Sequence, residues 1–192
     1  SGEVQGHGLL CHMLDVAAVA QVLLDHCNID DQQLSNMFFL PASSVNPWLA
    51  AMVGLHDFGK AIPGFQHKWE AGKLLDQQAG LLFEGKCLVK DRHDLATGAL
   101  VPEFIMSVKA PPQWGRGVVQ AISAHHGFNF TSLQVKEAKP LREPKIWQQV
   151  RQEMFDAYWQ TLSPPDVPED KELSLIAVEW LAGLACVCDW IG

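Results

Sequence analysis

Gly54-Leu55-His56-Asp57-Phe58-Gly59-Lys60 sets an imidazole beside a carboxylate at the end of an apolar segment, Asn46-Pro47-Trp48-Leu49-Ala50-Ala51-Met52-Val53. Burying such a pair is costly unless a partner satisfies it. The segment leading in reads as a helix: Asn46 suits the N-cap, Pro47 the first helical position and Gly59 the C-terminal stop. The last turn of such a helix exposes carbonyls at the negative end of the peptide dipole, which favours a cation there. The same seven residues also spell G-x-x-x-x-G-K, close to a phosphate-binding loop. Ala61 stands where that loop needs Ser or Thr for magnesium, and a helix replaces the strand that should precede it, so an NTPase is not the reading.

Outward from this stretch the apolar spacing is helical nearly everywhere, which predicts an all-α chain. Leu9, Met13, Val16, Ala20, Leu23 and Leu24 form a stripe over 9–25, with His12 near it. A short helix is expected from Asp30 and Asp31 through Phe38 and Phe39. Residues 61–91 weaken into loops and short helices around Pro63, Gly64, Gly72, Gly80 and Gly85. A helix resumes near His93 or Asp94 and runs through Phe104. Another follows Pro111-Pro112 and ends at His125-His126-Gly127, so the first arrangement of ligand-type residues before a glycine is repeated. Residues 128–143 read as a basic loop, 144–162 as a helix and 163–168 as a linker. The last helix, 171–191, is apolar on almost every face and is therefore expected to be buried. Asp189 stands late in it, where the dipole opposes a negative charge, so a cation or donor partner is expected.

Length and composition agree with one domain over 1–192: the AVILMFWYC set is 48% and charged residues 19%, enough to bury a core and too apolar for a disordered chain. A net charge of −8 excludes a broad basic surface for duplex DNA but leaves room for a local basic path. The five cysteines are odd in number and form no C-x-x-C pair, so buried free thiols are expected. No apolar run reaches the roughly 18 residues of a membrane span and no charged leader precedes a secretory segment, which points to the cytoplasm. Ser1-Gly2 resembles a cloning remnant, and the chain stops right after an apolar helix, so it reads as excised from something larger.

Of the eight histidines, His7, His26 and His67 fall in polar or uncertain contexts that suit ordinary surface roles. The pair His125-His126 is harder to dismiss, because adjacent imidazoles repel when protonated and coordination resolves the conflict. His12, His56, Asp57, His93, His125, His126 and Asp189 together lie on or at the ends of five predicted helices, a set that could line one pocket. Mixed imidazole and carboxylate donors suit first-row transition metals, and there are enough for two ions with open positions. Two such cations clamp a phosphate and acidify water, so phosphoester hydrolysis is the reaction class expected.

The order His12, His56-Asp57, His93, His125-His126, Asp189 resembles the HD superfamily of metal-dependent phosphohydrolases. More narrowly, it is similar to the HD nuclease domain of the CRISPR-associated nuclease-helicase of type I systems, most nearly subtype I-E. The resemblance is carried by Cys11-His12-Met13-Leu14-Asp15, by Leu55 to Lys60, by Phe65-Gln66-His67-Lys68, by Ala124 to Phe128 and by Leu181-Ala182-Gly183 through Asp189-Trp190-Ile191-Gly192. It implies an HD-domain helical bundle with a two-metal site in the middle of its helices and with Asp57 as the bridge. His12, His56, Asp57 and Asp189 would hold one ion, and Asp57, His93, His125 and His126 the other. Lys60 would stabilise charge on the phosphate. The ions implied are Fe, Mn, Co or Ni, ahead of Mg or Zn, and the substrate is single-stranded DNA. A helicase domain in cis and the guide-RNA surveillance complex (Cascade) are the implied partners. His7 competes with His12 for the first ligand position. Lys68, Trp69, Lys136, Lys139 and Arg142 are candidates to guide the strand, although a solvated surface explains each of them as well. An HD phosphohydrolase for nucleotides or cyclic dinucleotides, or a non-catalytic, metal-braced docking module, are the alternatives.

Overall fold

The computed structural model describes residues 7–27, 29–127 and 130–192; Ser1-Gly2 and Phe128 lie outside them. Among the described residues there are helices and no strand. The order is α1 (Leu9–His26), α2 (Asp31–Phe38), α3 (Ala42–Gly54), a 3-10 turn (Leu55–Lys60), α4 (Pro63–Gln66), α5 (Glu70–Gln78), a second 3-10 turn (Gly85–Val89), α6 (His93–Ser107), α7 (Pro112–Ser123), α8 (Ser132–Glu137), α9 (Lys145–Leu162) and α10 (Leu175–Ile191). The all-α expectation holds.

The central helix is α3, where Ser44 to Gly54 are buried except Pro47. It packs on α1, α2 and α10, while the 3-10 turn packs on α6, and α7 lies against both α6 and α10. Close approach at the end of α3 depends on Gly54: a Cβ there would run into the Tyr158 hydroxyl, the Met13 carbonyl and Ala17. Tyr158 instead donates its O–H to the Ala51 carbonyl at 2.7 Å, which ties α9 to the central helix.

Several expectations are corrected. Asn46 and Pro47 do not start α3; they sit inside it, after an N-cap at Pro41. Asn46 Nδ2 donates to Asp25 at 3.1 Å and Asp31 at 3.0 Å, so it joins α1 and α2. Pro47, early in the helix, forfeits one intrahelical bond. Gly59 is not a left-handed helix stop; α3 ends at Gly54 and passes into the 3-10 turn. The basic loop over 128–143 contains α8, started by a capping box between Thr131 and Gln134. The last helix begins at Leu175, where Ser174 caps it through Ala177 N–H. Nor is it buried all round. Ile176 is 73% and Trp190 87% exposed, because α10 lies at the edge of the bundle and apolar composition alone does not supply a covering neighbour. All five cysteines are free, but only Cys87 and Cys188 are buried, with Cys11 and Cys27 exposed. Finally, α1 does reach the length of a membrane span, with mean hydropathy 1.4. Met13, Val16, Ala17, Ala20 and Leu24 spend that apolarity on the domain core.

Candidate metal centre

Two histidines are aimed by the same local device. His56, in the 3-10 turn, uses its Nδ1–H on the Val53 carbonyl at 3.0 Å, and His125, just past α7, uses its own on the Ile122 carbonyl at 2.6 Å. The helix-end carbonyls thus orient imidazoles by an i to i−3 bond, leaving each Nε2 for the site. Thr97, one turn after His93 on α6, pins the turn from the other side. Its hydroxyl accepts from Gly59 N–H at 2.9 Å and donates to the His56 carbonyl at 2.8 Å. The contact explains Gly59, since a Cβ there would collide with the His93 carbonyl and the Thr97 backbone. Sequence reading missed Thr97; its only signal is the four-residue spacing from His93.

Asp57 is 1% exposed and faces both ways. Its Oδ2 lies 3.1 Å from His12 Nε2 and 3.3 Å from His56 Nε2, while its Oδ1 lies 3.3 Å from His93 Nε2 and 3.9 Å from His125 Nε2. Asp189, reaching in from α10, sits 3.4 Å from His12 and 3.1 Å from His56, the partners expected for a carboxylate at that helix end. His93 and His126 bring their Nε2 atoms to 3.0 Å. The structure therefore gathers all seven candidates in two clusters, His12, His56, Asp57 and Asp189, and His93, His125 and His126, each with donor atoms within 4.8 Å of one another. His7 is not among them: it pairs with Asp15 on the surface.

Divalent ions suit these residues. Asp57 Oδ1 and His125 Nε2 are buried without hydrogen-bond partners, and the buried His56 Nε2 faces the Asp57 and Asp189 carboxylates, a set that is costly to bury and that a cation would satisfy. Opposite charges within the clusters offset one another. Burial opposes charge on His56, but hydrogen bonds and attraction from Asp189 and Asp57 outweigh it and hold its pKa up at about 9. Burial likewise opposes charge on Asp57, and His12, His56 and Lys60 override it, holding the carboxyl well below the usual range. Lys60 makes a direct ion pair with Asp57. His125 is pushed down to about 4 by burial and by the neighbouring positive His56.

These shifts predict a pH optimum for stability without metal. His56 is raised above its ordinary 6.5, so its contribution is complete below pH 6.5 and disappears as pH rises through about 9. His125 is lowered, so its contribution is complete above pH 6.5 and disappears as pH falls through about 4. Melting temperatures of chelator-treated protein should peak near pH 6.5. Added manganese should reverse the alkaline decline, because a ligating His56 must be neutral.

The guiding candidates are dispersed. Lys68 comes nearest, its Nζ 5.5 Å over the Phe65 ring, which packs 5.0 Å from His93, though Lys68 also pairs with Asp91 at 2.8 Å. Trp69 is 46% exposed and lies close over Gly72. Lys136 and Lys139 line a separate groove of about 560 Å³ between α6, α7 and α8, and Lys139 is paired with Glu103. Arg142 is an exposed residue at positive φ.

A helical bundle that gathers six histidine and aspartate side chains around one buried carboxylate is an HD-type domain. The chain belongs to the Cas3 HD-domain family: the family model described as "Cas3, HD domain" matches residues 1–192. It is similar to the CRISPR-associated endonuclease/helicase Cas3 of Thermus thermophilus, 33% identical over 193 residues that cover 96% of this chain and 20% of the relative. The Escherichia coli protein of the same description is 25% identical, with 97% and 23% covered. The chain thus spans about a fifth of the length of these relatives. Among solved structures, the Thermus thermophilus Cas3 HD domain in the presence of Ni2+ matches with TM-score 0.71 and 28% identity, covering 96% of this chain and 70% of that one. A structure described as a CRISPR-associated protein matches at 0.81 and 26%, covering 96% and 21%.

Proposed function

We propose that the chain is a metal-dependent nuclease domain that hydrolyses phosphodiester bonds of single-stranded DNA in type I CRISPR interference. One observation carries the reading: the two oxygens of buried Asp57 face two separate sets of imidazoles, the arrangement a bridging carboxylate needs. His12, His56 and Asp189 would complete one site, and His93, His125 and His126 the other, for two transition-metal ions such as Fe, Mn, Co or Ni. When bound, the ions supply Lewis acidity and a nucleophile at neutral pH. The protein's own part is to hold geometry. Val53 and Ile122 fix the rings of His56 and His125, Thr97 fixes the turn that carries Asp57, and burial excludes bulk water around the bridge. Lys60, released from its pair with Asp57, would offer its ammonium to the phosphate.

The relatives' description as endonuclease/helicase supports a helicase domain in cis as the source of unpaired DNA, and the match of a surveillance-complex structure at TM-score 0.77 fits a guide-RNA complex as the partner that marks the target. The test is cutting of circular single-stranded DNA by the protein loaded with manganese or cobalt. Release of phosphate or linear product from nucleotides or cyclic dinucleotides without DNA cutting would favour the nucleotide phosphohydrolase. Bound metal with no hydrolysis of either would favour the docking module. Lys60→Ala should cut about 100-fold more slowly with its metal content retained; an unchanged rate removes Lys60 from the chemistry.

A further inference from the structure

We propose that the groove between the end of α7 and the outer face of α10 seats a nucleobase beside the scissile phosphate, with the Trp190 indole as its stacking platform. The proposal rests on the nuclease reading above and names where one unpaired nucleotide sits. The groove has a volume of about 460 Å³ and opens directly on His125 and His126. His125 and His126 form part of its wall and belong to one of the two clusters, which places the groove beside the candidate metal centre.

Its α10 wall is low. Ala182 and Gly183 carry little or no side chain, and a Cβ at Gly183 would meet nothing within 4 Å, leaving room for a flat group. Trp190 closes the end of the groove and follows Asp189 directly in sequence. At 87% exposure it leaves a large amphipathic ring uncovered, although aromatic side chains of this size usually bury most of their surface.

Charge sorts the two parts of a nucleotide. Glu179 lines the groove with a carboxylate, which disfavours a phosphate there. The phosphate belongs over the clusters, near Lys60. Stacking on an indole needs a base face free of its own neighbours, so the arrangement favours an unpaired strand without reading its sequence.

The test compares a fluorescent oligo-dT with an abasic oligonucleotide of the same length and charge, by anisotropy and by cutting, on the manganese-loaded protein. Trp190→Ala should weaken oligo-dT binding and raise KM about tenfold, the effect of losing one aromatic stack. The abasic strand should shift less than twofold, and Trp190→Phe should restore most of the loss. Gly183→Leu, which fills the groove while Trp190 stays, should show the same selective weakening. Equal effects on both strands, or none, overturn the proposal. Absence of cutting by the unaltered protein would sink the nuclease reading, while the selective binding difference would still decide the groove.

Discussion

Asp57→Ala is expected to abolish DNA cutting, with a loss of about a thousandfold or more, and to lower metal content at both sites together. Each of the other six candidates serves one cluster, whereas Asp57 presents Oδ2 to His12 and His56 and Oδ1 to His93 and His125. Its removal leaves five imidazoles and one carboxylate with too little negative charge to hold two cations, and it strands the ammonium of Lys60. Elemental analysis beside the nuclease assay checks both halves. Asp189→Ala serves as the contrast, since it touches only His12 and His56 and should deplete one cluster more than the other. If Asp57→Ala retained two ions and wild-type cutting, the bridging role would be wrong.

Gly59→Ala is expected to destabilise the fold by about 3 kcal/mol and to disturb metal binding through His93. A single methyl group there meets the His93 carbonyl and the Thr97 amide, both backbone atoms of α6, which cannot rotate away. Overpacking of this kind costs about 1–3 kcal/mol, and the bond from Gly59 N–H to Thr97 is worth about 1 more. Relief requires α6 to slide off the 3-10 turn, and that movement draws His93 from Asp57. Urea unfolding and metal titration would show the coupled loss. Gly183→Ala, where the added carbon meets open space, should stay within about 0.5 kcal/mol of the parent. Parity of the two variants would remove the close-approach explanation.

The all-helical class and the seven candidate ligands were legible in the chain because they depend on local quantities: the spacing of apolar residues, and the chemical type of the side chains. The His56-Asp57 and His125-His126 pairs stood out for the same reason, being polar residues abutting apolar runs. Helix limits were less legible. Asn46 and Pro47 have the right local chemistry to begin a helix, but Pro41 already begins it, and the Asn46 amide is used by Asp25 and Asp31 from two other helices. Gly59 likewise looks like a stop and is needed instead by α6, thirty-odd residues away in sequence.

By itself the sequence determined the donor set, its order and the helical framework, since residue type and periodicity need no partner to be read. Only the tertiary structure decided which side of each helix is covered and which atoms meet. It put both oxygens of Asp57 between two sets of rings, excluded His7, separated Lys136 and Lys139 from the clusters, and left Trp190 standing free at the end of a groove. Those facts depend on contacts between residues far apart in the chain, and no local pattern encodes the distance between them.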